Sequence, residues 1–306
     1  MKVLLATDGS RYAQEAARFL AHRLHSRPDV QIDALAVFEP AEEMQAEAVA
    51  ERWMADTRPL LEGPGREVEA RIRSGAPERV VVEESREYDL VVLGVKGRGA
   101  SPFFELGRVA LAVLQGSHAS VLLVRPRPRK AVEGSFRVLL SVEEEDPGLL
   151  AAWDMLLPFS AVDTEVEIVT VMPEAKYGMA LAARTASGQG SRERIRERAN
   201  RWLSKTLTIL PTADRPVRPT LLQGRPASEL GARAVESRAD LLVIGEGARS
   251  RSAAAGTSAP LGGTARELSW SSPCSVLLVR RKGAPPGHEH QPPLTRETDA
   301  RTTQGV

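Results

Sequence analysis

One aspartate, three glycines and three cations in this chain stand at spacings suited to gripping an anion. Asp8 closes a short apolar run, Val3–Ala6, and Gly9-Ser10 follow it as turn and helix-cap types. Far along the chain comes Gly94-x2-Gly97-x9-Gly107, with Lys96, Arg98 and Arg108 beside the glycines. Glycines let main chain approach a phosphate closely, and a helix starting near Gly107 would aim unpaired N–H groups at the same place. A carboxylate at Asp8 would accept from ribose hydroxyls or an adenine amine. Each feature also has a plainer reading, the cations as solvated surface charges and the aspartate as a turn residue. Other chemistries lack their signatures: there is no Gly-x4-Gly-Lys-Ser/Thr loop and no Gly-x-Ser-x-Gly elbow. His22, His25, His118, His288 and His290 show no zinc-ligand spacing. No second acid or base is paired with Asp8 in its motif.

The elements that must position these residues are written twice. Asp89-Leu-Val-Val-Leu-Gly94 returns as Asp240-Leu-Leu-Val-Ile-Gly245, and Ser120-Val-Leu-Leu-Val-Arg125 as Ser275-Val-Leu-Leu-Val-Arg280. Val3-Leu-Leu-Ala-Thr-Asp8 matches Val138-Leu-Leu-Ser-Val-Glu143. The offset grows from 135 to 151 to 155 residues, always between apolar runs, so insertions fall in connections. In the first half, strands are expected at Val3–Ala6, Ile32–Phe38, Val68–Ile72, Leu90–Leu93 and Val121–Val124. Helices are expected at Arg11–Leu24, Pro40–Leu61, Pro77–Tyr88 and Gly107–Gly116. The cycle restarts at Phe136, with later strands at Val166–Met172, Val217–Leu222, Leu241–Ile244 and Val276–Val279.

Such alternation predicts an α/β fold: two tandem doubly wound domains, each a five-stranded parallel sheet flanked by helices. The expected domains are residues 1–125 and 136–282, joined by a stiff Pro/Arg linker at 126–135. Residues 283–306 lack periodicity and read as a disordered tail. With the first and fourth strands as neighbours in a doubly wound sheet, ligands bind beyond their carboxyl ends. Asp8 and the Gly94 loop should therefore share one crevice.

Composition narrows the function classes. Net charge is +1 and aromatics make up 4% of the chain, which argues against nucleic acid as a partner. Cys274 is the single cysteine, so an internal disulfide framework is excluded. The N-terminus turns polar too soon for a signal peptide, and no apolar run is long enough for a bilayer. Cytoplasmic residence without a membrane partner is the expectation.

The glycine spacing, the Ala6-Thr-Asp8-Gly-Ser10 opening and the Val-Leu-Leu-Val strands together resemble the universal stress protein family. The likeness covers both halves and implies an adenine nucleotide alpha hydrolase-like fold. It further implies an ATP-binding regulatory or stress-response module, ATP arriving with or without Mg2+. Asp8 and Val37 match the family's nucleoside contacts. Gly94, Gly97 and Gly107 match its phosphate loop, with Arg98, Arg108 and Val109 beside them. Family members pair domains through the last strand, so Ser120–Arg125 and Ser275–Arg280 are expected to join the halves as an intramolecular pseudo-dimer. A further homodimer and slow ATP hydrolysis stay open.

Both halves depart from the family pattern. Arg108 stands where the signature has Ser or Thr; a lost hydroxyl–phosphate bond costs ~1.5–3 kcal/mol unless the arginine replaces it or, instead, obstructs the pocket. In the second half Glu143 replaces Asp8, Ala248 the second glycine, and Glu246 is expected to add a negative charge where phosphates would lie. The alternative reading is a nucleotide-free interaction scaffold with degenerate pockets. An adenylate-transferring or ATP-hydrolysing enzyme is a third, without an acid/base pair to support it.

Overall fold

The computed structural model describes all residues except 25, 26, 28, 41, 42, 64, 65, 99–104, 127–134, 144–147, 162, 173–187, 211–215, 247–260 and 281–306. The expected tail, most of the linker and the loop around Ala248 lie outside the described residues.

Strand and helix alternate as the apolar runs require. The first half contains β1 (Lys2–Thr7), α1 (Arg11–Leu24), β2 (Gln31–Phe38), α2 (Glu43–Leu61), β3 (Val68–Ser74), α3 (Pro77–Glu84), β4 (Leu90–Gly94), α4 (Arg108–Gly116) and β5 (Ser120–Val124). The second contains β6 (Phe136–Ser141), α5 (Leu149–Leu156), β7 (Thr164–Met172), α6 (Gly188–Ile209), β8 (Val217–Gln223), α7 (Pro226–Glu236), β9 (Leu241–Gly245), α8 (Gly263–Ser271) and β10 (Ser275–Val279). The helix expected to reach Tyr88 stops at Glu84 and tightens into a 3-10 turn, Ser85–Glu87. There the Ser85 hydroxyl donates to the Val82 carbonyl and accepts from the His118 N–H at 3.0 Å.

The strands form one mostly parallel sheet of ten, ordered β3-β2-β1-β4-β5-β10-β9-β6-β7-β8. Each half contributes the five parallel strands read from the sequence. The halves meet where β5 and β10 pair antiparallel, Leu122 opposite Leu277. Every residue of both strands is buried, so neither would tolerate being a free edge. The outer strands, β3 and β8, instead carry exposed charges such as Glu69, Arg73 and Arg218.

Alternation along each strand feeds two core layers that both cross the seam. One includes Leu122 and Leu277 with α1, α2 and α5; the other includes Leu123 and Leu278 with α3, α4, α7 and α8. Phe19 of α1 packs against Phe136 and Phe159 of the second half at 6.1 and 6.0 Å between ring centroids. Arg125 donates to the Ser269 and Trp270 carbonyls at the end of α8. Arg280 reciprocates, donating to the Leu114 carbonyl in the last turn of α4. Each arginine thus places its charge at the partial negative end of a helix in the other half.

Tyr88 supplies a pH test of this fold. It is 2% exposed, and its hydroxyl donates to Asp33 Oδ2 at 2.8 Å. Burial first, then that bond, raises its pKa above the ordinary tyrosine value. Above pH ~10 the unfolded chain gives up this proton while the folded chain keeps it, so stability is intact below that pH and falls above it. Tyr88→Phe is expected to cost ~1–3 kcal/mol at neutral pH and to flatten the alkaline decline, as urea midpoints across pH would record.

Candidate functional site

β1 and β4 lie side by side, Val3 opposite Leu90 and Leu5 opposite Val92. β2 continues the sheet on one flank and β5 on the other, so strand order reverses between β1 and β4. At their carboxyl ends opens a cavity of about 770 Å³. Its lining brings together all eight residues singled out from the sequence: Asp8, Val37, Gly94, Gly97, Arg98, Gly107, Arg108 and Val109.

Asp8 is the hinge of the arrangement. Its Oδ1 accepts the Ser10 N–H at 3.0 Å, and its Oδ2 accepts the Arg98 N–H at 2.8 Å. That second bond draws the loop after β4 against the end of β1. A Cβ on Gly97 would stand 2.5 Å from Asp8 Oδ2, so any larger residue there would displace the Asp8 carboxylate. Gly94 is equally constrained: its Cβ would meet the Tyr12 backbone at 2.6 Å, where α1 crosses the tip of β4. Gly107 caps α4 in extended conformation, and its N–H donates to the Val95 carbonyl at 2.8 Å. The first-turn N–H groups that follow, Arg108 to Ala110, have no acceptor within the helix and bring partial positive charge to the cavity lining.

The structure gives the cations partners that the sequence did not reveal. The Arg98 guanidinium sits 5.0 Å over the Trp53 ring. Arg108 reaches Glu39 at 3.0 Å and Glu78 at 3.5 Å. Val37, at the end of β2, supplies apolar wall.

Sequence reasoning missed the wall that α2 provides. Ala46, Val49 and Trp53 line the cavity, three and four residues apart on one helical face. That spacing was the available signal. Trp53 packs over Gly9, whose φ of +66° lies in the left-handed region. Thr57 anchors the same helix to β1 through a 3.0 Å contact between its hydroxyl and that of Thr7. Two buried polar atoms here have no hydrogen-bond partner among the described residues, Trp53 Nε1 and Glu78 Oε2.

In the second half the corresponding loop is partly described. The Glu246 N–H donates to the Val279 carbonyl as Val95 does to Val124, so Glu246 holds the place of the buried Val95. Its carboxylate lies 3.7 Å from Arg280. The expectation that Glu246 occupies phosphate space is therefore corrected: its side chain serves the seam. Gly262 is the counterpart of Gly107, capping α8 and donating to the Glu246 carbonyl at 3.3 Å. Among the described residues no group of three or more His, Cys, Asp or Glu could hold a metal ion, and no helix is long and apolar enough to cross a membrane.

Comparison with known proteins follows the same repeat. The model of the Universal stress protein family matches residues 1–125 and again 137–280. A universal stress protein of Methanocaldococcus jannaschii is 28% identical over 144 residues, 42% of this chain and 84% of that protein. Among solved structures, a universal stress protein from Archaeoglobus fulgidus superposes with a TM-score of 0.62 at 19% identity, covering 92% of this chain and 96% of the other. A functionally unknown protein from Pseudomonas aeruginosa gives 0.61 at 14%, covering 92% of each. At those identities the structural likeness speaks for the fold.

Proposed function

Since this chain belongs to the universal stress protein family and carries its domain twice, we propose that it is a regulatory module binding one ATP in the first-half cavity. The reading is carried by the cavity of about 770 Å³ where Asp8 meets the Gly94 loop, a volume within the range of small-molecule sites. Leu35 and Val37 offer the base an apolar bed. Asp8 keeps lone pairs for the ribose beyond its two bonds to N–H groups. The start of α4, with Lys96 and Arg98, offers the phosphates main-chain donors and charge. Any Mg2+ would arrive on the phosphates.

In this reading the halves act as an internal dimer, which the antiparallel β5–β10 pair supports, in a cytoplasmic protein. The second half is the structural partner, its Glu246 committed to Arg280. A nucleotide-free scaffold remains the competing reading, favoured by the carboxylates that already hold Arg108. Calorimetric titration of the full chain separates the two. One equivalent of ATP bound per chain is expected; absence of heat at millimolar ATP, with no shift in melting temperature, would leave the scaffold.

A further inference from the structure

Arg108 opens α4 and lies at the cavity mouth, bridging Glu39 at the end of β2 and Glu78 in the first turn of α3. Its side chain is 69% exposed and that of Glu39 58%, so the bridge is wet and easily exchanged. Glu78 is 25% exposed, and its second oxygen is buried without a partner. At the matching helix starts the second half has no charged pair: Gly263 begins α8 and Ala227 follows the proline that opens α7. The bridge thus belongs to the half that holds the described cavity. Around that cavity the described carboxylates Asp8, Glu39 and Glu78 stand against the cations Lys96, Arg98 and Arg108.

Building on the nucleotide reading, we propose that Arg108 sets ligand selectivity by exchanging partners. Unliganded, it is held across the mouth by Glu39 and Glu78. The phosphate tail of a nucleotide takes the guanidinium from them, since a phosphate offers a bidentate acceptor of higher charge. A neutral nucleoside leaves the bridge closed and gains nothing from Arg108. Glu39 and Glu78 are then positioning residues that weaken binding of the charged ligand, and the site grades adenine ligands by their phosphates.

The experiment compares ATP with adenosine by calorimetry on the full-length chain. Replacing both carboxylates (Glu39→Gln with Glu78→Gln) is expected to tighten ATP by about 5–20-fold and to move adenosine less than about twofold. Arg108→Ser should weaken ATP by about 5–10-fold, spare adenosine, and erase the gain when added to the double variant. A ratio of the two affinities that stays within about twofold across all variants overturns the exchange while leaving nucleotide binding in place. Tighter ATP binding by Arg108→Ser also overturns it, since the arginine would then be an obstruction. A wild-type chain that takes neither ligand removes the nucleotide reading itself.

Discussion

Gly97→Val abolishes ATP binding while leaving the sheet folded: a loss beyond about 100-fold in affinity is expected, with less than ~2 kcal/mol lost in stability. The added Cβ would sit 2.5 Å from Asp8 Oδ2, so Asp8 and the loop must part. Their separation breaks the bond between Asp8 and the Arg98 N–H, which draws the loop to the tip of β1. Gly97→Ala carries the same Cβ and should share most of the effect, which distinguishes displacement of Asp8 from mere bulk. Calorimetry for binding, with urea unfolding for stability, gives both readouts. An ATP affinity unchanged in either variant means that the nucleotide does not lie between Asp8 and this loop.

The largest stability effect is expected at the seam. Arg125→Ala leaves the Ser269 and Trp270 carbonyls, bonded at 2.9 and 2.8 Å, without their donor. Loss of a charged, half-buried pair of bonds at a helix C-terminus is worth ~2–4 kcal/mol. Arg280→Ala should cost a comparable amount, because it strips the Leu114 carbonyl of its donor and removes the guanidinium 3.7 Å from Glu246. Burial lowers both guanidinium pKa values from the ordinary arginine value, yet arginine stays charged at any pH where the protein folds. Lysine should rescue Arg125 poorly, since one ammonium cannot reproduce the fork that spans two carbonyls. Urea midpoints measure these costs; a loss under ~0.5 kcal/mol would assign the seam to strand pairing and apolar contact alone.

Much of the architecture was legible because parallel strands buried on both faces leave unbroken apolar runs, and those runs occur twice. The pairing of Ser120–Val124 with Ser275–Val279 was expected only through the family resemblance, whose members join domains at the last strand. For the site, Asp8 and the three glycines were readable because close approach admits few residue types, as Gly94 and Gly97 show. Partners were not readable. Glu39 and Glu78 come from different elements than Arg108, and only the fold brings their carboxylates to it. Trp53 escaped notice because an aromatic residue on an amphipathic helix usually faces a core, and its position over Gly9 depends on how α2 leans on β1. Glu246 misled for a similar reason: its alignment with the loop was right, but the strand-end register turns its side chain toward Arg280.

The antiparallel junction of β5 with β10 has a consequence for what dilution does to this molecule. Two separate polypeptides meeting at such an edge would obey mass action and come apart as they became scarce. Here a tether keeps each half supplied with its mate at millimolar effective concentration, however few copies a cell holds. Assembly is then first order. A half that keeps its joining edge stays in place, which leaves its site loops room to differ between the halves, as Asp8 and Glu143 do.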